Sequence, residues 1–264
     1  MPPAQSSRSR LHRTVGAAAE ALIDRIGLRG ALALMLAFAV VLQFGYPVTL
    51  HGELWTGLYM ALYGGMLFFA LLIVHEQGRG LLPFVLLGAV STTVGIVYSF
   101  NQRNETITVV MLFTVALFMA VIIGKLGVFL FRRQRADGLS LILAALTVYV
   151  IVGGFFGAVY AGIELLVPGS FEDPLTPGIS PTWPQLVYFS YVTMSTVGYG
   201  DILATTAWSR SLVTFHGVGA TLYLTIVVAR LVGIWSSSSH SQGPAELGAT
   251  AEVRASRPVR PDVE

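Results

Sequence analysis

The chain has 264 residues, of which 54% are hydrophobic and 11% charged, with a mean hydropathy of +0.71 and a formal net charge of +2. This balance excludes an ordinary soluble domain and predicts a polytopic membrane protein. The absence of cysteine excludes disulfides, thiolate metal sites and cysteine nucleophiles.

Residues 1–27 read as a cytoplasmic tail followed by an interfacial helix. Arg8, Arg10, Arg13, Arg25 and Arg29 lie among small and apolar residues, and Ala19, Leu22, Ile23 and Ile26 fall at helical spacing. A signal peptide would place its apolar core earlier, with a small-residue cleavage site behind it. Flanking charge at the cytoplasmic face accounts for these arginines, and no nucleic-acid partner is expected.

Six apolar stretches follow, at 28–50, 54–74, 81–100, 107–131, 139–167 and 210–235. Each is near the ~20 residues that a helix needs to span a bilayer. Arg79, Arg132, Arg133, Arg135, Arg254, Arg257 and Arg260 fall on the same side as the N-terminal arginines; only Arg103 and Arg210 do not. Positive charge accumulates in short cytoplasmic loops, so both termini are expected to be cytoplasmic and the protein multi-pass in the plasma membrane.

The segment 28–131 reads as a four-helix transmembrane domain, with Gly64-Gly65 and Gly88-Ala89 permitting close helix contact. Its fourth stretch carries a single charge, Lys125, near the inner end. One charge crossing the membrane field supplies only ~2.3 kcal/mol per 100 mV, so a voltage sensor needs a ladder of arginines that is missing here. Steep voltage dependence is therefore not expected.

Residues 132–235 form the second membrane domain. The fifth stretch (139–167) carries Gly153-Gly154-Phe155-Phe156-Gly157. The glycines permit contact with the sixth stretch or a neighbour, and the aromatics are expected against the short helix that follows. Prolines in 168–181 break the helix and predict an external turret. Thr182-Trp183-Pro184 then offers a start for a short re-entrant helix at 184–195. It runs into Thr196-Val197-Gly198-Tyr199-Gly200-Asp201, where Gly198 and Gly200 allow positive φ without a Cβ penalty.

The run Thr193-Met194-Ser195-Thr196-Val197-Gly198-Tyr199-Gly200-Asp201 resembles the signature of the potassium channel superfamily. The layout is similar to the bacterial two-transmembrane-pore group, with four additional N-terminal helices. The resemblance implies an all-α membrane protein with six transmembrane helices, a re-entrant pore helix and a selectivity filter between the fifth and sixth. It further implies a homotetramer, because a closed ring of filter carbonyls needs several chains.

On this reading residues 196–201 (Thr196, Val197, Gly198, Tyr199, Gly200, Asp201) are the filter. K+ is held at Thr196, Val197, Gly198 and Tyr199, with the Thr196 hydroxyl as the innermost ligand and Tyr199 bracing the loop from behind. Filter support is assigned to Thr193, Ser195, Trp183 and Tyr188, with Tyr188 and Phe189 in place of the family's aromatic pair and Tyr191 and Tyr199 as a cuff. Val192 stands where some members carry a glutamate, so Asp201 is expected to bond Trp183 or Tyr188 instead. Glu164 either supports the filter or is a solvated helix-end carboxylate. Ala204 replaces a common proline, and Thr205 and Thr206 can cap the inner helix.

In the inner helix (210–235), Gly217 and Gly219 flank the family's hinge position, which strict counting places at Ala220. His216 is either a hydrogen-bonded neutral histidine behind the pore helix or a group coupling gating to pH. Thr221, Leu224, Thr225 and Val228 share a helical face expected to line the inner cavity. Residues 236–264 are expected to be a disordered cytoplasmic tail, too short for a ligand-sensing domain.

The implied activity is passive, potassium-selective conduction, with K+ as permeant ligand, no cofactor, and membrane lipid as surroundings. A potassium transporter subunit would carry several degenerate filter loops, and a scaffold or receptor with a vestigial pore would conduct nothing. No enzyme is expected: His12, His51, His75, His216 and His240 form no ligand pattern, and no nucleophile has an oriented base.

Overall fold

The computed structural model describes residues 27–75, 81–132 and 138–240. The expected interfacial helix, Arg79, Arg133, Arg135 and the tail beyond 240 lie outside the described residues. Helix α1 spans Gly27–Phe44. A 3-10 turn, Tyr46–His51, leads into α2 (Glu53–His75), α3 (Leu81–Phe100), α4 (Glu105–Arg132) and α5 (Gly138–Leu166). Then come β1 (Phe171–Glu172), α6 (Trp183–Met194), β2 (Leu203–Ala204) and α7 (Ala207–His240). By length and composition, α1, α4, α5 and α7 each contain a segment able to cross a membrane.

Several helix ends differ from the expected spans, each for a local reason. The first stretch was expected to be helical to residue 50, but α1 stops at Phe44 and Pro47 lies in the 3-10 turn. Proline has no N–H to continue the ladder. Helix α4 starts at Glu105 because the Asn104 side chain accepts from Ile107 N at 3.1 Å, satisfying a first-turn donor. Helix α7 starts at Ala207, ahead of the expected residue 210. The Thr206 hydroxyl accepts from Ser209 N at 3.2 Å, and Ser209 Oγ accepts from Thr206 N at 3.1 Å.

Two further features go beyond the expectations, which the largely helical fold otherwise meets. Helix α7 continues through Ser236–Ser239 to His240, where the chain was expected to be disordered from residue 236. Serine's helix preference is only a few tenths of a kcal/mol to ~0.5 kcal/mol below that of good helix formers, which does not stop a helix already under way. The all-α expectation also omitted an antiparallel ladder that pairs Phe171 with Ala204 and Glu172 with Leu203.

The chain divides into two units, at 1–223 and 224–264, the described part of the second being the remainder of α7. In the first unit α2 packs on α3, α3 on α4, α4 on α5, and α5 on α6. Small residues open these interfaces: a Cβ on Gly95 of α3 would sit 3.2 Å from Met60 Sδ of α2. Some polar side chains bond between helices, as apolar surroundings favour: Ser91 Oγ donates to Thr114 O at 3.0 Å.

Candidate functional site

The short helix α6 is built to be held from three sides. At its N-terminus Gln185 Oε1 accepts from Thr182 N at 2.8 Å and from the Thr182 hydroxyl at 2.7 Å, with Pro184 in the first turn. Along α5, Gly153 and Gly157 face it closely. A Cβ on Gly157 would lie 2.7 Å from Val187 Cα, and one on Gly153 would collide with the Tyr191 ring. Ser190 Oγ donates to Gly153 O at 2.7 Å and the Tyr191 hydroxyl to Val150 O at 2.6 Å. The third side is the N-terminal helices: Phe44 of α1 meets Tyr191 with ring centroids 4.9 Å apart, and Tyr59 of α2 meets Trp183 at 6.3 Å.

These contacts redistribute the expected roles of the Gly-Gly-Phe-Phe-Gly run. Gly153 and Gly157 receive α6, and Phe156 instead stacks on His216 of α7 at 3.9 Å. Gly154 faces Gln43 of α1. Tyr191 was placed in an aromatic cuff around the loop; its ring and hydroxyl turn toward α1 and α5. Trp183 was a candidate partner of Asp201, but at the first position of α6 it packs on Tyr59.

At the C-terminal end of α6 the helix hands its free carbonyls to the following loop. Ser195 caps the helix, donating its backbone N–H to Tyr191 O at 3.0 Å and its hydroxyl to the same oxygen at 2.6 Å. Thr196 N donates to Thr193 O at 3.1 Å. The Val192 carbonyl accepts from Val197 N at 3.1 Å and Gly198 N at 3.4 Å. Carbonyls of a last helical turn have no partner inside the helix, so the loop's N–H groups and the helix complete each other.

Within the loop, Thr196, Gly198 and Gly200 take φ of 59°, 59° and 78°. Positive φ thus recurs at every second residue. In a strand successive carbonyls point to opposite sides; reversing the handedness at alternate residues can turn them toward one side. Thr196 is the sole non-glycine at positive φ among the described residues, and for a β-branched residue that conformation is strained. Such strain, of order 1–3 kcal/mol, persists where surrounding structure over-determines the backbone and concentrates at functional sites. The sequence reading assigned positive φ to the two glycines and missed Thr196.

The loop exit is anchored twice. The Tyr188 hydroxyl donates to Asp201 Oδ2 at 2.7 Å. This bond to the carboxylate, with desolvation second, raises the Tyr188 pKa from 10.0 to about 12. Beyond it β2 pairs with β1, Thr205 N donates to Ser170 O at 3.0 Å, and Arg210 Nε donates to Ala204 O at 3.0 Å. β1 in turn hangs on Glu164, which is 4% exposed. Its Oε1 accepts from Gly169 N at 2.9 Å and Ser180 Oγ at 2.6 Å, and its Oε2 from Phe171 N at 2.8 Å. Glu164 is therefore neither a solvated helix-end carboxylate nor a direct loop ligand; it organises the 169–180 segment.

His216 is 1% exposed, its Nδ1 2.9 Å from the Tyr160 hydroxyl of α5. Tyr160 was missed in the sequence reading. Its signal was a tyrosine one helical turn after Phe156 in an apolar span, a place where a phenol needs a polar partner. Gly217 lies near Thr193, whose Cγ2 would be 3.7 Å from an added Cβ, whereas Gly219 has open space beside it. Thr221, Leu224, Thr225 and Val228 are all exposed on α7, and the Thr221 hydroxyl donates to Gly217 O at 3.0 Å.

Residues 195–200 are exposed, with Tyr199 at 70%. Behind the loop lies an open hollow of about 370 Å³, lined in part by Phe189, Val192, Thr193 and Val213. No cluster of three or more metal-ligating side chains occurs among the described residues, so a cation at the loop would meet backbone carbonyls and the Thr196 hydroxyl.

Residues 139–236, which contain all of α5 but Gly138, the loop and most of α7, match the family described as ion channel. No curated protein and no solved structure matches the chain. With its apolar helices, the match supports a multi-pass membrane protein carrying an ion channel domain.

Proposed function

We propose that the protein is a potassium-selective channel in which residues 196–201 of four identical chains form the filter around a common axis. The observation that carries this reading is the recurrence of positive φ at Thr196, Gly198 and Gly200 in a loop seated on the C-terminal end of α6. Carbonyls turned to one side can replace the hydration shell of a dehydrated potassium ion. The C-terminal end of a helix carries partial negative charge, which adds attraction for a cation beneath the loop.

A single chain leaves this site open. Tyr199 and Trp208 are 70% and 87% exposed, and large aromatics normally contribute burial to a core or interface. Additional copies around the loop would cover them and close the ring. The Tyr188–Asp201 bond takes the place of the acidic partnership that Val192 excludes. The four exposed residues Thr221, Leu224, Thr225 and Val228 line the inner cavity in this assembly. Six helices cross the plasma membrane, with both termini cytoplasmic, and the lack of an arginine ladder in α4 leaves conduction without steep voltage dependence.

The test is ion flux from liposomes containing the full chain, in potassium and in sodium, with wild type and Gly198→Ala. The expected result is potassium flux well above sodium flux, lost in the variant because alanine at φ 59° is strained. Equal permeation of the two ions refutes selectivity, and unchanged selective flux in Gly198→Ala refutes the filter assignment.

A further inference from the structure

Both ends of the 196–201 loop lead to one buried aromatic cluster, and His216 sits at its edge. Tyr160 bonds the His216 ring and also meets Phe189 of α6 at 5.7 Å and Phe171 of β1 at 5.2 Å; Phe171 and Phe189 are 5.8 Å apart. Helix α6 carries the start of the loop, and β1 pairs with β2 just past its end. On the other side of the imidazole, Phe156 stacks at 3.9 Å and 12°. The remaining ring nitrogen, Nε2, is buried without a hydrogen-bond partner among the described residues.

Resting on the filter reading above, we propose that neutral His216 is a positioning residue for the filter, acting through Tyr160, and that protonating its ring loosens the cluster and reduces potassium conduction. Neutral imidazole has one donor and one acceptor, and Tyr160 satisfies one of them. Imidazolium has two donors. Its Nδ1–H requires the Tyr160 oxygen as acceptor, and its charged Nε2–H is left buried with no acceptor among the described residues.

Among the described residues, the groups that meet the ring offer no counter-charge. Helix α5 presents Phe156 and Tyr160, of which Tyr160 is the titratable one; α6 and β1 reach the cluster through Phe189 and Phe171. The carboxylate one turn beyond Tyr160, Glu164, is already engaged by Gly169, Phe171 and Ser180. Arg210, on the same helix as His216, donates to Ala204 O. Stacking on Phe156 offers the cation only a ring face, which does not replace an acceptor for Nε2–H.

The experiment is potassium flux from liposomes holding the full-length protein, measured as pH is lowered from about 7.5 to about 3, a range carried well below ordinary histidine titration because the charged ring lacks an acceptor for Nε2–H. Wild-type flux is expected to fall about tenfold, while His216→Gln, which accepts from Tyr160 without titrating, and His216→Phe each keep more than about half of their flux. Tyr160→Phe, which removes the acceptor that imidazolium needs, is expected to move half-inhibition down by about one pH unit; it serves as the test if the His216 variants do not assemble. A wild-type response under about twofold, equal acid inhibition in the His216 variants, or an unmoved midpoint in Tyr160→Phe overturns the proposal. Selective flux that is flat with pH counts against this proposal alone. Absence of selective flux near pH 7.5 removes the filter reading on which it rests.

Discussion

Replacing Gly157 by alanine tests whether the loop's position is set by the fit of α6 against α5. The added methyl would lie 2.7 Å from both Val187 Cα and Val187 Cγ2 and 3.1 Å from Val187 Cβ. Comfortable carbon contacts are about 3.5–4.0 Å, so α6 must move away by roughly 1 Å. A side-chain rotation at Val187 cannot relieve the clash with Cα, since that atom belongs to the backbone. Overpacking of this kind costs about 1–3 kcal/mol.

The displacement is transmitted directly, because the Val192 carbonyl on the same helix receives Val197 N and Gly198 N. Gly157→Ala is therefore expected to lower the thermal unfolding midpoint of the detergent-solubilised protein by several degrees and to reduce the potassium-to-sodium flux ratio several-fold. Gly162→Ala is the matched control: it lies in the same helix with nothing within 4 Å of the added carbon, and it gains up to ~1 kcal/mol of helix preference. If the two variants melt and select alike, the close α5–α6 fit does not position the loop.

Other substitutions separate the remaining supports. Thr196→Gly should relieve about 1 kcal/mol of strain at φ 59° yet remove a hydroxyl ligand, so unfolding temperature should rise or hold while potassium selectivity falls; a parallel loss of both would contradict the strain argument. Tyr188→Phe removes the 2.7 Å bond to Asp201 and should accelerate decay of potassium flux during sustained conduction, read from the time course in liposomes. The pH dependence of this bond follows from the raised tyrosine pKa. Its contribution is fully present below the unfolded value of 10.0 and is lost as pH rises through about 12, so the wild-type advantage over Tyr188→Phe should persist up to pH 10.0 and vanish near 12. Glu164→Gln replaces one accepting oxygen by a donor facing N–H and O–H groups. It should destabilise the 169–180 segment by about 1–3 kcal/mol, seen as faster amide exchange at Gly169 and Phe171.

The chain's apolar helices and the two glycines of the 196–201 loop that take positive φ were readable directly from residue order. Long apolar runs report on solvent, since only a helix can satisfy its backbone alone in lipid. Gly198 and Gly200 announce a backbone that needs positive φ, and Thr182, Pro184 and Thr206 mark helix starts through groups only a few residues away. These signals are local. Thr196 escaped because a threonine does not advertise positive φ; only the tertiary setting, with α6 receiving the loop's N–H groups, can hold it there.

Partner choice over long separations was decided by packing. Hydropathy cannot say which face of α5 receives α6; Gly153 and Gly157 take it, whereas Phe156, expected against α6, stacks on His216. Tyr191 and Trp183 turned to the N-terminal helices, not to the loop, because those helices occupy the back of α6. Glu164 found its partners five, seven and sixteen residues ahead, where the turret doubles back. Tyr160 and His216, 56 residues apart, meet only where the fold brings α5 to the first part of α7. A buried polar atom must be satisfied by whatever the fold brings near, and sequence spacing carries no record of that neighbour.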